Sequence, residues 1–71
     1  DASISFLHLV PGENVTHGTQ PGHGQWIQVI SGEISVNGVA LRAGDGAAIE
    51  HEEALQLAAS SEARALLFDL A

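Results

Sequence analysis

Four histidines and nine carboxylates are the side chains in this sequence that could bind a metal ion. The histidines are His8, His17, His23 and His51. The chain has no cysteine, so thiolate zinc sites and thiol nucleophiles are excluded. Several imidazole and carboxylate groups that converge on one point can hold a divalent transition metal. The chemistry to test is therefore a metal site built on histidine.

Turn signals divide the chain into short pieces that could position such side chains. These signals are Pro11-Gly12, Pro21-Gly22, Ser31-Gly32, Asn37-Gly38 and Gly44-Asp45-Gly46. The intervening pieces are rich in β-branched or alternating apolar residues, which is typical of strands. Strands are predicted at residues 3–10, 15–17, 25–30, 33–36, 39–42, 47–50, 55–58 and 63–70. Many short strands at close spacing predict an all-β sandwich or barrel, formed by one domain over residues 1–71.

Alternation along residues 25–30 assigns two faces to that strand. Gln25 and Ile27 are predicted to point inward, and Trp26, Gln28 and Ile30 outward. Large apolar groups are favoured at protein interfaces, so the outward set is a candidate interface. Packing of these outward side chains against a second sheet of the same domain would explain the same alternation.

The Asn37-Gly38 pair is the strongest local signal for a hairpin. It lies between Ile34-Ser35-Val36 and Val39-Ala40-Leu41. Both residues of the pair tolerate the positive φ that a two-residue turn requires. A tight antiparallel hairpin is therefore predicted here.

Three stretches carry a resemblance to a known family. They are residues 11–17 (PGENVTH), 24–32 (GQWIQVISG) and 36–49 (VNGVALRAGDGAAI). Together they resemble the cupin superfamily, and more closely the C-terminal cupin of bacterial pirin-like proteins, some of which are quercetin 2,3-dioxygenases. The resemblance covers residues 1–71 and implies a small jelly-roll barrel or sandwich of short antiparallel strands.

The resemblance also indicates where a cupin keeps its metal ligands. The His-x-His pair of the first motif falls on His17 and Thr19, and its glutamate falls on Gln25. The histidine of the second motif falls on Ile49. A hydroxyl and a neutral amide are weak ligands for iron, manganese or nickel, and isoleucine has no donor. The sequence therefore predicts a degenerate metal site with no bound cofactor.

Two other interpretations of the interior remain open. His17 and His51, with His23 from a glycine-rich loop, could hold one divalent transition metal in a stand-alone, dioxygenase-like mini-cupin. Alternatively, His17, Thr19, Gln25, Ile27 and Ile49 could line a pocket for a small organic molecule, because small barrels can enclose one ligand.

The leading hypothesis is a non-catalytic, structural cupin. In the family that the chain resembles, the metal and oxygen chemistry belongs to the N-terminal cupin. The resemblance therefore implies packing on such an N-terminal domain of the same protein, or on a second copy in a homodimer. A small domain without disulfides has a marginal core, which also favours association.

Charge and hydropathy restrict the partners. The formal net charge is −7, with nine acidic residues against two arginines and no lysine. Such a surface repels nucleic acid and anionic lipid, because binding to either depends on lysine and arginine. No secretory signal or membrane-length apolar run is present, so a cytoplasmic location is expected.

Overall fold

The computed structural model describes residues 2–19, 22–50 and 54–70, and the ordered elements in these ranges are all strands. In chain order they are β1 (Ala2–Leu9), β2 (Asn14–Gly18), β3 (Gly24–Ser31), β4 (Glu33–Val36), β5 (Val39–Arg42), β6 (Gly46–Ile49), β7 (Ala54–Ala59) and β8 (Ala63–Leu70). All eight predicted strands are present, with ends shifted by at most one residue.

Two four-stranded antiparallel sheets make up the architecture. Sheet I has the strand order β1-β8-β3-β6, and sheet II has the order β2-β7-β4-β5. Among the described strands, β4 and β5 are the only pair that is consecutive along the chain and also hydrogen-bonded in a sheet. This two-sheet, all-strand arrangement is consistent with the predicted jelly-roll sandwich.

The core lies between the inner faces of the two sheets. Its residues come from alternate positions of the strands, as the period-two pattern requires. They are Leu9, Ile27, Val29, Ile34, Val36, Leu41, Ile49, Leu55, Leu57, Ala59, Ala63, Ala65 and Leu67. The inward direction predicted for Ile27 is therefore confirmed.

The β4–β5 hairpin turns at Asn37 and Gly38, where both φ angles are positive, at 49° and 85°. Val36 faces Val39 across the turn. The Asn37 amide oxygen accepts a hydrogen bond from Gln56 N at 2.8 Å, which ties the hairpin to β7. The hairpin predicted from the asparagine-glycine pair is confirmed.

The β5–β6 turn is fastened to sheet I. Asp45 accepts a hydrogen bond from Arg42 N through its carboxylate at 2.9 Å. Val29 N donates to Asp45 O, and Gly44 N donates to Val29 O, both at 2.9 Å. These bonds hold the start of β6 beside β3, which brings the second cupin-like motif against the first.

Among the described residues, no helix has the length and apolar character needed to cross a membrane.

Candidate functional site

The residues at the four metal-ligand positions lie on both sheets. Gln25 and Ile49 are paired across β3 and β6 in sheet I, and both are buried. His17 lies on β2 in sheet II, half-buried and opposite Leu55. Thr19 follows the end of β2 and is also half-buried. Gln25 and Ile49 thus lie side by side in sheet I, while His17 and Thr19 come from β2 of sheet II and the residue that follows it.

Gln25 is the one polar residue buried in the described core, with 3% of its surface exposed. Its side-chain nitrogen Nε2 has no hydrogen-bond partner there. A buried donor without a partner costs roughly 1–3 kcal/mol of stability. Burial of this amide therefore lowers the stability of the fold.

His23 has a partner of its own. Its Nδ1 atom lies 2.7 Å from Oδ1 of Asp69, and both side chains are about three-quarters buried. Asp69 is also the neighbour of Gln25 across β3 and β8. The acidic partner of His23 was not predicted, because the pair is 46 residues apart in sequence. The third histidine of the alternative metal site, His51, lies outside the described residues.

The donor set does not fit a tightly held transition metal. At the four positions, one imidazole is accompanied by a hydroxyl, a neutral amide and a hydrocarbon side chain. Within the described ranges, no group of three or more His, Cys, Asp or Glu side chains could hold an ion. Such ions need several nitrogen and carboxylate ligands, so this set is too weak.

A cavity of about 410 Å³ opens between the edge strands of the two sheets. Its lining comes from β4, β5 and β6 with the residues next to them: Val36, Asn37, Val39, Leu41, Ala47, Ala48, Ile49 and Glu50. The only carboxylate in this lining is Glu50. Ile49, the residue at the second-motif position, therefore forms part of an apolar wall.

The outer face of sheet I is the second notable surface. Trp26, Gln28 and Ile30 point outward from β3, and Trp26 and Ile30 are exposed. The register extends this set across the sheet, because Phe68 faces both Trp26 and Ile4, and Leu66 faces both Gln28 and Phe6. We call this surface the apolar face of sheet I; it comprises Ile4, Phe6, Trp26, Gln28, Ile30, Leu66, Phe68 and Leu70.

Residues 1–70 match the model of a family that is described as the quercetinase C-terminal cupin domain. The chain belongs to this family. A quercetin 2,3-dioxygenase of Escherichia coli K12 is 39% identical over 70 residues. That match takes in 99% of this cupin domain but only 30% of the E. coli protein. The cupin domain thus spans less than a third of the curated relative.

Solved structures give the same assignment. YhhW from E. coli superposes with a TM-score of 0.97 at 35% identity, over 100% of the cupin domain and 30% of the YhhW chain. A structure of the bacterial pirin YhhW in complex with nickel(II) gives a TM-score of 0.96 at 36% identity, over 99% and 31%. The resemblance to pirin-like cupins and the predicted fold are therefore confirmed.

Proposed function

We propose that this cupin domain is a non-catalytic unit whose role is structural, namely to pack against another cupin. The partner is an N-terminal cupin of the same protein or a second copy of the domain. The proposal is carried by the residues at the four metal-ligand positions, His17, Thr19, Gln25 and Ile49.

The chemistry of these residues supports the proposal in two ways. One imidazole does not hold nickel, iron or manganese when the remaining positions offer only an amide, a hydroxyl and a hydrocarbon. Ile49 is buried beside Gln25, so the second motif contributes a packing residue where a working site has a ligand. Ile49 is therefore part of the hydrophobic core of the sandwich.

The length of the E. coli relative is a second argument for a structural role. More than two thirds of the E. coli quercetin 2,3-dioxygenase lies outside the segment that matches this domain. A protein of that length has room for a separate cupin that carries the reaction.

A metal titration tests the proposal. The purified chain is incubated with excess nickel(II), dialysed, and measured by inductively coupled plasma mass spectrometry. We expect well below one equivalent of metal per chain and no consumption of quercetin by the loaded sample. The expected metal content is the same in a His17→Ala variant.

His8→Ala is the matched control, because His8 lies on the outer side of sheet I, away from the four positions, and contacts Glu62. Stoichiometric metal that is retained by His8→Ala and lost in His17→Ala would overturn the proposal. Binding that both variants lose equally would indicate surface histidines and would leave the interior without a site.

A further inference from the structure

We infer that the outer side of sheet I holds a binding site for a small organic cation, an ammonium group carried on an apolar body. The inference concerns a ligand and goes beyond the proposed structural role. The site consists of a depression lined by Trp26, Gln28, Phe68 and Leu70, with Glu50 beside it. The depression has a volume of about 320 Å³, at the lower end of the range for small-molecule sites.

Three apolar side chains form the wall of the depression, and a glycine leaves a gap next to them. Phe68 faces Trp26 across β8 and β3, and Leu70 faces Gly24 in the same register. Directly opposed side chains on neighbouring strands contact one another, so Trp26 and Phe68 form one apolar surface. A Cβ atom added to Gly24 would meet nothing closer than 3.8 Å. An apolar ligand body can therefore rest on the wall, with open space over Gly24.

The polar groups inside the depression already have protein partners. Gln28 Nε2 donates to Gly44 O at 3.2 Å and to Asp45 O at 3.1 Å. Gln28 Oε1 accepts a hydrogen bond from Trp26 Nε1 at 3.4 Å. A ligand body that carries its own polar groups here would lose water without gaining a partner, which is unfavourable. The depression therefore selects a hydrocarbon or aromatic body.

Glu50 provides the charge at the open end of the depression. Ile49 at the end of β6 is buried in the core, so alternation directs the next residue, Glu50, to the outer side of sheet I. The atom nearest to a Cβ added to Gly24 would be Cγ of Glu50, at 3.8 Å. The Glu50 side chain thus borders the gap over Gly24, opposite Leu70.

The carboxylate of Glu50 is distinguished from the others by its lack of a partner. Among the described residues, it is the one carboxylate for which the structure gives neither an ion pair nor a hydrogen bond. The others that have partners are Glu13, Glu33, Asp45, Glu62 and Asp69.

The charge of the whole chain acts in the same direction as Glu50. The formal net charge is −7, and the two arginines are already paired, Arg42 with Glu33 and Arg64 with Glu62. Such a surface attracts cations and repels anions. An ammonium group over Gly24 would meet the unpartnered carboxylate while its apolar body covers Trp26 and Phe68. Charge and shape therefore select the same class of ligand.

Titration of the 71-residue chain with 2-phenylethylamine, a cation at neutral pH, tests the inference. Trp26 is the only tryptophan, so tryptophan fluorescence reports on this depression alone. The matched probes are 2-phenylethanol, which is neutral and of the same size, and phenylacetate, which is an anion. We expect a saturable change with the amine and a dissociation constant on the order of 1 mM. The alcohol should bind at least about threefold more weakly, and phenylacetate should not saturate.

Three variants separate the contribution of charge from that of the apolar wall. Glu50→Gln should weaken binding of the amine by at least about threefold and leave binding of the alcohol unchanged. Glu33→Gln is the matched control, because it removes the same charge from β4 of sheet II, and it should leave both nearly unchanged. Leu70→Ala should weaken the amine and the alcohol alike, by about twofold or more, through lost apolar contact. Circular dichroism verifies that each variant is folded.

Equal weakening of the amine by Glu50→Gln and Glu33→Gln would overturn the inference, because net charge alone would then explain binding. Equal affinities for the amine and the alcohol, or no saturable change with the amine, would overturn it as well. A longer polypeptide with a neighbouring cupin, in which Trp26 no longer responds to the amine, would assign the depression to a contact between domains and would also overturn it. None of these results affects the metal titration, so the proposed function is judged separately.

Discussion

Gln25 and Gln28 are the same residue type three positions apart on β3, yet they have opposite energetic roles. Gln25 points into the core, where its Nε2 atom has no partner among the described residues. Gln28 points outward and makes three hydrogen bonds, to Trp26, Gly44 and Asp45. The inward amide therefore costs stability, and the outward amide contributes to it.

We expect Gln25→Leu to raise the free energy of unfolding by about 1 kcal/mol, because it removes a buried unpaired donor and preserves volume. Gln28→Leu is the matched control and should lower it by roughly 1 kcal/mol through lost hydrogen bonds. Urea denaturation followed by circular dichroism measures both. A decrease in stability for Gln25→Leu would show that its amide is satisfied in solution.

For individual residues, the sequence predicts which face of a strand a side chain lies on better than it predicts which residues that side chain contacts. Alternation was sufficient to place Gln25 and Ile27 inside and Trp26 and Ile30 outside, since side chains along a strand alternate. It could not reveal that Asp69 contacts His23, because that contact depends on the pairing of β3 with β8. The residues at the four metal-ligand positions were found only through the resemblance to cupins.

Among the structural elements, the β4–β5 hairpin is the one that local sequence specifies fully. Asn37 has a φ of 49°, and its side chain accepts a hydrogen bond from Gln56 N. Its backbone N also donates to Gln56 O at 2.9 Å. Asn37 therefore contributes both to the turn and to the attachment of the hairpin to β7.

Two substitutions separate these contributions. Asn37→Ala should lower the free energy of unfolding by about 2 kcal/mol, the sum of about 1 kcal/mol for positive φ and about 1 kcal/mol for the hydrogen bond. Asn37→Gly keeps the φ preference and should cost about 1 kcal/mol. Thermal or urea unfolding measures both values. Equal losses in the two variants would contradict a backbone contribution.

Strand positions could be predicted from the sequence, but most strand neighbours could not. Glycine and proline signals set the ends of the strands to within one residue. Outside the β4–β5 hairpin, the sheet partners are distant in sequence, such as β1 with β8. Local alternation contains no information about such pairing. The apolar face of sheet I was therefore predicted only for β3, and its continuation over β1 and β8 emerged from the register.

For the whole molecule, net charge and apolar association act against each other. Copies that each carry −7 repel at long range, so any pairing of two copies depends on contact between apolar surfaces. Raising NaCl from about 0.1 M to about 1 M shortens the Debye length from about 10 Å to about 3 Å. Salt should therefore strengthen association.

For pairing of the domain with a second copy, we expect the dissociation constant to fall severalfold over that salt range, as measured by sedimentation velocity. A Val39→Glu substitution at an exposed position of β5 adds one more negative charge and should make the dependence on salt steeper. A dissociation constant that rises with salt would contradict this balance and would indicate attraction between charged groups across the interface.

The pairing of β1 with β8 has a consequence for how the domain can be joined to other sequences. Ala2 and Leu70 are opposed across these strands, and opposed residues in an antiparallel pair have Cα atoms roughly 5 Å apart. A polypeptide therefore enters and leaves the sandwich at a single corner. The domain could be spliced into a surface loop of a host protein, or its ends joined by a short linker and the chain reopened at another turn, without moving any strand.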